Sequence, residues 1–206
     1  FGWKAGNPTL LQQTAGAYNG DMGVTSPLFP FENCSGQPQC DSLTDDPEID
    51  MELLKTTAFY CQSIAVPGRR NVEDAQVKRG KELFVQLNCS GCHHPSYTTG
   101  QHEFAFLSGQ LIFPYTDLLL HDMGEGLADG RWEYQANEQE WRTPPLWGIG
   151  LTSIVGAHTR FLHDGRANNL EEAIMWHGGE AQKSKDQFKA LSAFDRNAII
   201  DFLESL

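Results

Sequence analysis

Cys89-Ser90-Gly91-Cys92-His93 constrains this chain more than any other stretch. It reads C-x-x-C-H, the attachment pattern for c-type haem. Two thiols at this spacing can reach the two vinyl groups on one edge of a porphyrin. The next residue can then turn an imidazole under the iron. On this reading Cys89 and Cys92 form the thioethers and His93 is the proximal axial ligand. Two other chemistries use a C-x-x-C. A zinc half-site needs a second pair of ligands at short spacing, and His93 with His94 gives none. A redox pair of the thioredoxin kind wants a strand before it and a helix after it. Here a helix is expected before the motif, from Val72 to Asn88. Gly80 and Phe84 lie one turn apart on the face that would pack on a later helix.

The remaining cysteines point the same way. Cys34 and Cys40 flank Ser35-Gly36-Gln37-Pro38-Gln39, a turn-rich loop. A disulfide there would stabilise by about 2–3 kcal/mol through loop entropy. Cys61 lies in a helical pattern and is expected to be a buried free thiol. A disulfide and covalent haem attachment both belong outside the cytoplasm, so the periplasm or an equivalent space is expected. The formal charge of −12 argues against nucleic acid as a partner. It leaves two readings open, a solvated surface or the steering of a basic redox protein that gives or takes electrons. No stretch is apolar and long enough to span a membrane. The chain begins at Phe1 rather than Met and shows no leader, which reads as a processed or truncated start.

At 206 residues the chain allows one or two small domains. Residues 24–46 are rich in Pro, Gly, Asn, Asp and Ser and read as an irregular loop. Asp46-Pro47-Glu48 reads as a helix start, with Asp as N-cap and Pro at the first helical position. That helix runs to about Ala65, with Met51, Leu54, Ala58 and Cys61 on one face. Pro67-Gly68 stops it, and the domain boundary is placed here. Residues 94–116 read as loop, with His102 on the surface. Arg142-Thr143-Pro144-Pro145-Leu146-Trp147 is a rigid extended segment of the kind that lies against a haem edge. Leu170 to Trp176 is a short helix begun by Asn168 or Asn169. Ser192-Ala193-Phe194-Asp195 is a capping box, and the last helix follows it.

The second axial ligand must be a histidine, a methionine or a similar donor. Met123, His121, Met175, His177, His158 and His163 are candidates. His177 ends the short helix and precedes Gly178-Gly179, a pair that lets the chain turn away once the imidazole is placed. Met175 lies mid-helix and reads as packing. His121 and Met123 are the main rivals.

A faint internal repeat sets Phe1-Gly2-Trp3-Lys4-Ala5 and Leu10 against Phe161 to Ala167 and Leu170. If real, residues 1–23 are the tail of a first haem unit. The blocks Arg142-Thr143-Pro144-Pro145-Leu146, Phe161-Leu162-His163-Asp164-Gly165-Arg166-Ala167 and Leu170-Glu171-Glu172-Ala173-Ile174 resemble the di-haem cytochrome c peroxidase superfamily, which includes the MauG-type enzymes. Together with Phe1 to Ala5 and Asp21-Met22-Gly23-Val24-Thr25-Ser26-Pro27 they resemble its di-haem thiol oxidoreductase-like branch. The resemblance covers nearly the whole chain. It implies that Arg142, Pro144 and Arg166 belong to the haem surround. In that superfamily the electron-transfer haem takes a Met or Tyr seven residues past the Leu of the Leu-Glu-Glu stretch. The same offset from Leu170 is His177, which implies a His93/His177 pair in place of a methionine. The same offset from Leu10 is Ala17, which cannot ligate iron and implies an open face on the first haem. Asp21 matches the acidic position that assists O–O cleavage in the peroxidases. Trp3 matches a tryptophan lying between the haems. For both, a structural role is the alternative: Trp3 as core, Asp21 as a turn former or cap.

The expectation is therefore a mostly α chain. Residues 1–66 are the remnant of a first, catalytic haem domain. Residues 67–206 are a cytochrome c-like domain with one covalent haem c. Its terminal helix is expected to cross its first. The work expected is electron relay between an external protein and the first haem domain of a peroxidase-like oxidoreductase. A stand-alone electron carrier is the rival from another class. A third reading is a haem-free module with a Cys89–Cys92 disulfide. Calcium between haem domains is left open, because Ala157-His158-Thr159-Arg160 departs from the pattern that binds it in the superfamily.

Overall fold

The computed structural model describes residues 1–206 except Ser35, Gln39, Asp41, Ser42 and Thr44. These five lie in the loop expected over 24–46. The chain divides into two compact units, Phe1–Ala65 and Val66–Leu206. The described residues are mostly helical, with two small two-stranded antiparallel sheets.

The first unit pairs two helices, α1 (Leu10–Met22) and α2 (Met51–Ser63). Thr9 caps α1 by accepting from the Gln12 amide. Gly23 ends it at φ 74°, a conformation that glycine adopts without a Cβ penalty. Ala15, Leu54 and Ala58 form the buried apolar contacts, and the Tyr18 hydroxyl meets the Thr57 hydroxyl at 3.1 Å. The start of α2 differs from expectation. Its N-cap is Asp50, which accepts from the Leu53 amide at 2.8 Å. Asp46 and Glu48 serve the fully buried Thr25 instead. The Thr25 hydroxyl donates to Asp46, and the Thr25 amide donates to Glu48 at 2.9 Å. Those carboxylates are therefore spent on closing a loop. The Cys34–Cys40 disulfide is formed. Cys61 is a free thiol, as expected, but it is exposed rather than buried. Periodicity places Cys61 on the apolar face; it does not say how far along that face the covering element reaches.

The second unit is built on α3 (Ala75–Gln86) and the terminal α7 (Ala193–Ser205). Asp74 caps α3 through the Gln76 and Val77 amides. Ser192 caps α7 by accepting from the Asp195 amide at 3.2 Å, while the Asp195 carboxylate accepts from Arg79 on α3. The two helices cross at Gly80. A Cβ there would stand 1.9 Å from the Ala198 carbonyl oxygen and 2.7 Å from Phe202 Cβ. Only glycine fits so close a backbone approach. Val77, Leu83, Phe84 and Leu87 pack against Ala198, Ile199, Phe202, Leu203 and Leu206 in one core.

Between these helices the chain is mostly irregular. β1 (Tyr97–Thr98) pairs with β2 (Leu111–Ile112), and β3 (Leu120–Asp122) pairs with β4 (Glu140–Arg142). The segment expected to be loop over 94–116 thus contains a small hairpin. A short helix α4 (Thr152–Val155) follows, then α5 (Leu170–Trp176), capped by Asn169, and α6 (Gln182–Ala190). The onsets of α1 and α5 at Leu10 and Leu170 are the two positions aligned by the internal repeat.

Candidate functional site

The C-x-x-C-H motif leaves α3 in a single tight turn. Asn88 takes a left-handed conformation, and the amides of Cys92 and His93 both turn back to the Cys89 carbonyl. Cys89 and Cys92 are both free thiols. Burial pushes the Cys89 thiol up to about 11. Burial also raises Cys92, helped by the Asp117 and Glu180 carboxylates. A redox-active pair needs the opposite, a thiol acidified toward neutral pH. The protein environment therefore disfavours the thioredoxin-like alternative. A zinc alternative fares no better. Among the described residues, the three-donor group nearest the motif is Cys92, Asp117 and His121, which omits Cys89 and His93.

His93 is held from behind by the core. Its ring packs 6.2 Å from Phe84. Phe84 in turn meets Tyr115 edge-on at 6.1 Å and Phe202 at 5.3 Å. His93 Nδ1 lies 3.0 Å from the Tyr115 carbonyl. A carbonyl only accepts, so Nδ1 carries the proton and Nε2 keeps its lone pair. Burial pushes His93 down to about 4, with the nearby His177 as the next cause. The imidazole is neutral at any ordinary pH.

His177 repeats the arrangement. It is the first residue beyond α5, and its Nδ1 lies 2.8 Å from the Ala173 carbonyl one turn earlier. Burial lowers its basicity as well. The His93 and His177 ring centroids are 6.5 Å apart. A metal–imidazole bond is about 2 Å long and a ring radius roughly 1 Å, so two imidazoles on one metal place their centroids about 6 Å apart. Two neutral rings, each with its Nδ1 proton committed to a carbonyl and with this separation, fit the axial pair of a haem iron. The donor set therefore fits the group that the motif demands.

Gly178 and Gly179 have a steric purpose beyond flexibility. A Cβ on Gly178 would meet the Met123 carbonyl oxygen at 2.7 Å, and one on Gly179 would meet the Asp122 carbonyl oxygen at 2.2 Å. The segment after His177 is thus laid directly on the end of β3. The rivals for the distal position separate here. His121 has both ring nitrogens engaged, Nε2 by Asp117 at 2.9 Å and Nδ1 by Glu180 at 2.8 Å. Burial works against a charge on His121, but the two carboxylates outweigh it and hold the ring protonated above its ordinary value. A doubly protonated imidazole has no lone pair for iron. His163 stacks on Trp141 at 3.6 Å. His158 is exposed and accepts from the Arg160 amide. Met123 approaches the distal segment through its backbone, and Met175 lies in the last turn of α5 at the surface.

The other expected residues lie as follows. Arg142 ends β4 and is half-buried, and that burial lowers its basicity. Pro144 follows in a segment tied to the Tyr115 neighbourhood. The Thr116 hydroxyl donates to the Thr143 carbonyl at 2.6 Å, and the Leu146 amide donates to the Pro114 carbonyl at 2.8 Å. Arg166 donates to Asp164 and to the Gly126 carbonyl, and its guanidinium lies 4.9 Å over the ring of Trp176, the neighbour of His177. Asp21 and Trp3 belong to the first unit, where both are exposed. Sequence reasoning missed Tyr115, Ala173, Asp117 and Glu180. Asp117 and His121 carry a weak signal, an i, i+4 charge pair beside the motif; the two carbonyls carry none.

A family model described as "Di-haem oxidoreductase, putative peroxidase" matches residues 1–206, and the chain belongs to this di-haem oxidoreductase family. Membership brings haem as the family's cofactor and redox chemistry as its activity. The chain is also similar to the cytochrome c551 peroxidase of Pseudomonas aeruginosa strain PAO1, with 27% identity over 202 residues. That alignment covers 97% of this chain and 52% of the relative, so the chain spans about half the length of the curated relative it matches. No solved structure matches the chain significantly. Among the described residues, no helix is long and apolar enough to cross a membrane.

Proposed function

We propose that residues 67–206 form a cytochrome c-like electron-transfer domain with one covalent haem c. Cys89 and Cys92 would hold the porphyrin, and His93 and His177 would hold its iron. The observation that carries this reading is the His93/His177 pair: two neutral imidazoles 6.5 Å apart, each with Nδ1 on a backbone carbonyl. Haem iron supplies a one-electron change when bound. The protein's part is to fix both ligands in advance, so that the site reorganises little when the charge changes. Phe84, itself packed on Tyr115 and Phe202, and the Tyr115 carbonyl hold the His93 ring in place. The glycines at 178 and 179 let the segment carrying His177 lie directly against the end of β3. Arg142 and Arg166 supply positive charge, and Pro144 a rigid wall, to the haem surround.

With both axial positions taken, this haem would relay electrons rather than bind peroxide. We assign residues 1–66 to the end of a first haem domain, in which Asp21 would serve as acid–base group and Trp3 would lie between the haems. The whole protein would then be a peroxidase-like oxidoreductase of the periplasm. It would exchange electrons with a small redox protein. Calcium is not assigned.

The test is a pyridine haemochrome assay with intact mass on the chain expressed with haem-attachment machinery. One covalently bound haem per chain is expected. Cys92→Ala should lose one thioether and retain haem poorly. Complete release of porphyrin from the unmutated chain on acid extraction would sink the assignment. Brisk peroxide turnover by the 206-residue chain alone would contradict a closed, relay-type haem.

A further inference from the structure

His121 is absent from the ligand set, yet it sits at the junction of three segments. Its ring bridges Asp117 and Glu180 at 2.9 and 2.8 Å. Its Nδ1 also lies 3.7 Å from Cys92 Sγ, beside the haem-attachment turn. Glu180 stands three residues after His177, and its second oxygen accepts from the Asp122 amide at 3.2 Å. Asp117 is anchored in its turn by the Leu119 amide at 3.0 Å. The Asp117 and His121 side chains are 13% and 16% exposed, whereas Glu180 is 56% exposed. The two inner members are thus shielded from competing water, and the outer one reaches in from the distal segment.

We infer that His121 is a positioning residue for the distal ligand, clamping the segment 177–180 to β3 through Glu180 and so holding His177 against the iron. The inference rests on His177 being that ligand. Glycines at 178 and 179 make the close approach to β3 sterically feasible, but they supply no side chain to hold it. The backbone there has two flexible residues between the ligand and Glu180. The His121–Glu180 bridge supplies the missing hold, fixed on the other side by Asp117. Breaking it leaves the shielded Asp117 without its partner and loosens the loop, which then keeps only the contact of Glu180 with the Asp122 amide as a side-chain hold on β3.

The test measures carbon monoxide binding to the ferrous, haem-loaded protein, because carbon monoxide needs an iron whose distal ligand lets go. His121→Leu removes both bridges. Glu180→Gln keeps an acceptor for the Asp122 amide and removes the charge, at an exposed position where folding tolerates the change. Loss of an outer-shell partner typically costs 10–100-fold in metal-ligand affinity, so His121→Leu should bind carbon monoxide about 10–100-fold more tightly than the parent. Glu180→Gln should move the same way by less. Arg79→Gln breaks the Arg79–Asp195 ion pair between α3 and α7. It reports simple destabilisation and should leave carbon monoxide binding unchanged. If His121→Leu carries its haem and stays as closed as the parent, the clamp is wrong. If His121→Leu fails to accumulate, an unchanged Glu180→Gln overturns it equally. His177→Ala separates the two ideas. Should it open the iron while both clamp variants stay closed, only the clamp fails. Should it leave the iron closed, the ligand assignment fails and takes the clamp with it.

Discussion

Gly80→Ala perturbs the fold at the point on which the site depends. Two effects oppose each other. Alanine is favoured over glycine inside a helix by about 1 kcal/mol. Against that, the new Cβ would stand 1.9 Å from the Ala198 carbonyl oxygen, 2.5 Å from its carbon and 2.7 Å from Phe202 Cβ. None of these is the far end of a flexible side chain. Relief to ordinary contact requires α3 and α7 to separate by more than 1 Å, roughly the scale of an overpacked core, which costs about 1–3 kcal/mol and sometimes more. Because backbone blocks the way, the upper end applies, and the net loss is about 2 kcal/mol or more after the helix-propensity gain. At about 2–4 °C per kcal/mol for a chain of this size, the melting temperature should fall by roughly 4–8 °C. The same shift moves Phe202 away from Phe84 and Tyr115, which support His93. The assay is a thermal melt followed by far-ultraviolet circular dichroism and by haem absorbance on the same sample. A rise in melting temperature, as for an ordinary exposed glycine in a helix, would refute the close crossing.

Two further predictions concern side-chain chemistry. In the unreduced protein, peptide mapping should recover Cys34 joined to Cys40, and a maleimide should label Cys61 without unfolding; a Cys61 crosslink to either partner contradicts both. In the haem-free chain, His93 takes up its proton near pH 4 when folded against an ordinary value of 6.5. Its folded value is depressed, so the unfolded chain protonates first on acidification. Stability should fall as pH drops through about 6.5 and level off below about 4, by up to about 3 kcal/mol from this group. Urea unfolding at pH 7 and pH 4 measures it, and no difference between the two would argue against a buried neutral His93.

The features legible in the sequence were those with local causes. The expectation for Cys89, Cys92 and His93 rests on the spacing that a porphyrin edge demands. Gly80 follows from helical periodicity, the Ser192 cap from side-chain chemistry, and the Leu170 to Trp176 helix from its Asn cap and its glycine stop. What could not be read has non-local or backbone causes. Tyr115 and Ala173 serve through carbonyls, which every residue carries. Strands of two or three residues, such as β1 and β3, are too short to show a period. The Asp117–His121–Glu180 bridge spans 59 residues between His121 and Glu180, and nothing local marks those two as partners. Asp-Pro-Glu is good cap chemistry, which makes Asp46 a cap on local grounds alone. It was claimed by Thr25 instead, a partner 21 residues away.

The axial pair is tested most directly by the absorption spectrum of the haem-loaded His177→Met protein, recorded during a potentiometric titration. Methionine ligation raises the potential of a haem relative to imidazole. If His177 is the distal ligand, the iron should stay six-coordinate and low-spin, its potential should rise, and a sulfur-to-iron band should appear toward the red. A spectrum and potential identical to those of the unmutated protein would mean that His177 never touched the iron, and would contradict the account at its centre.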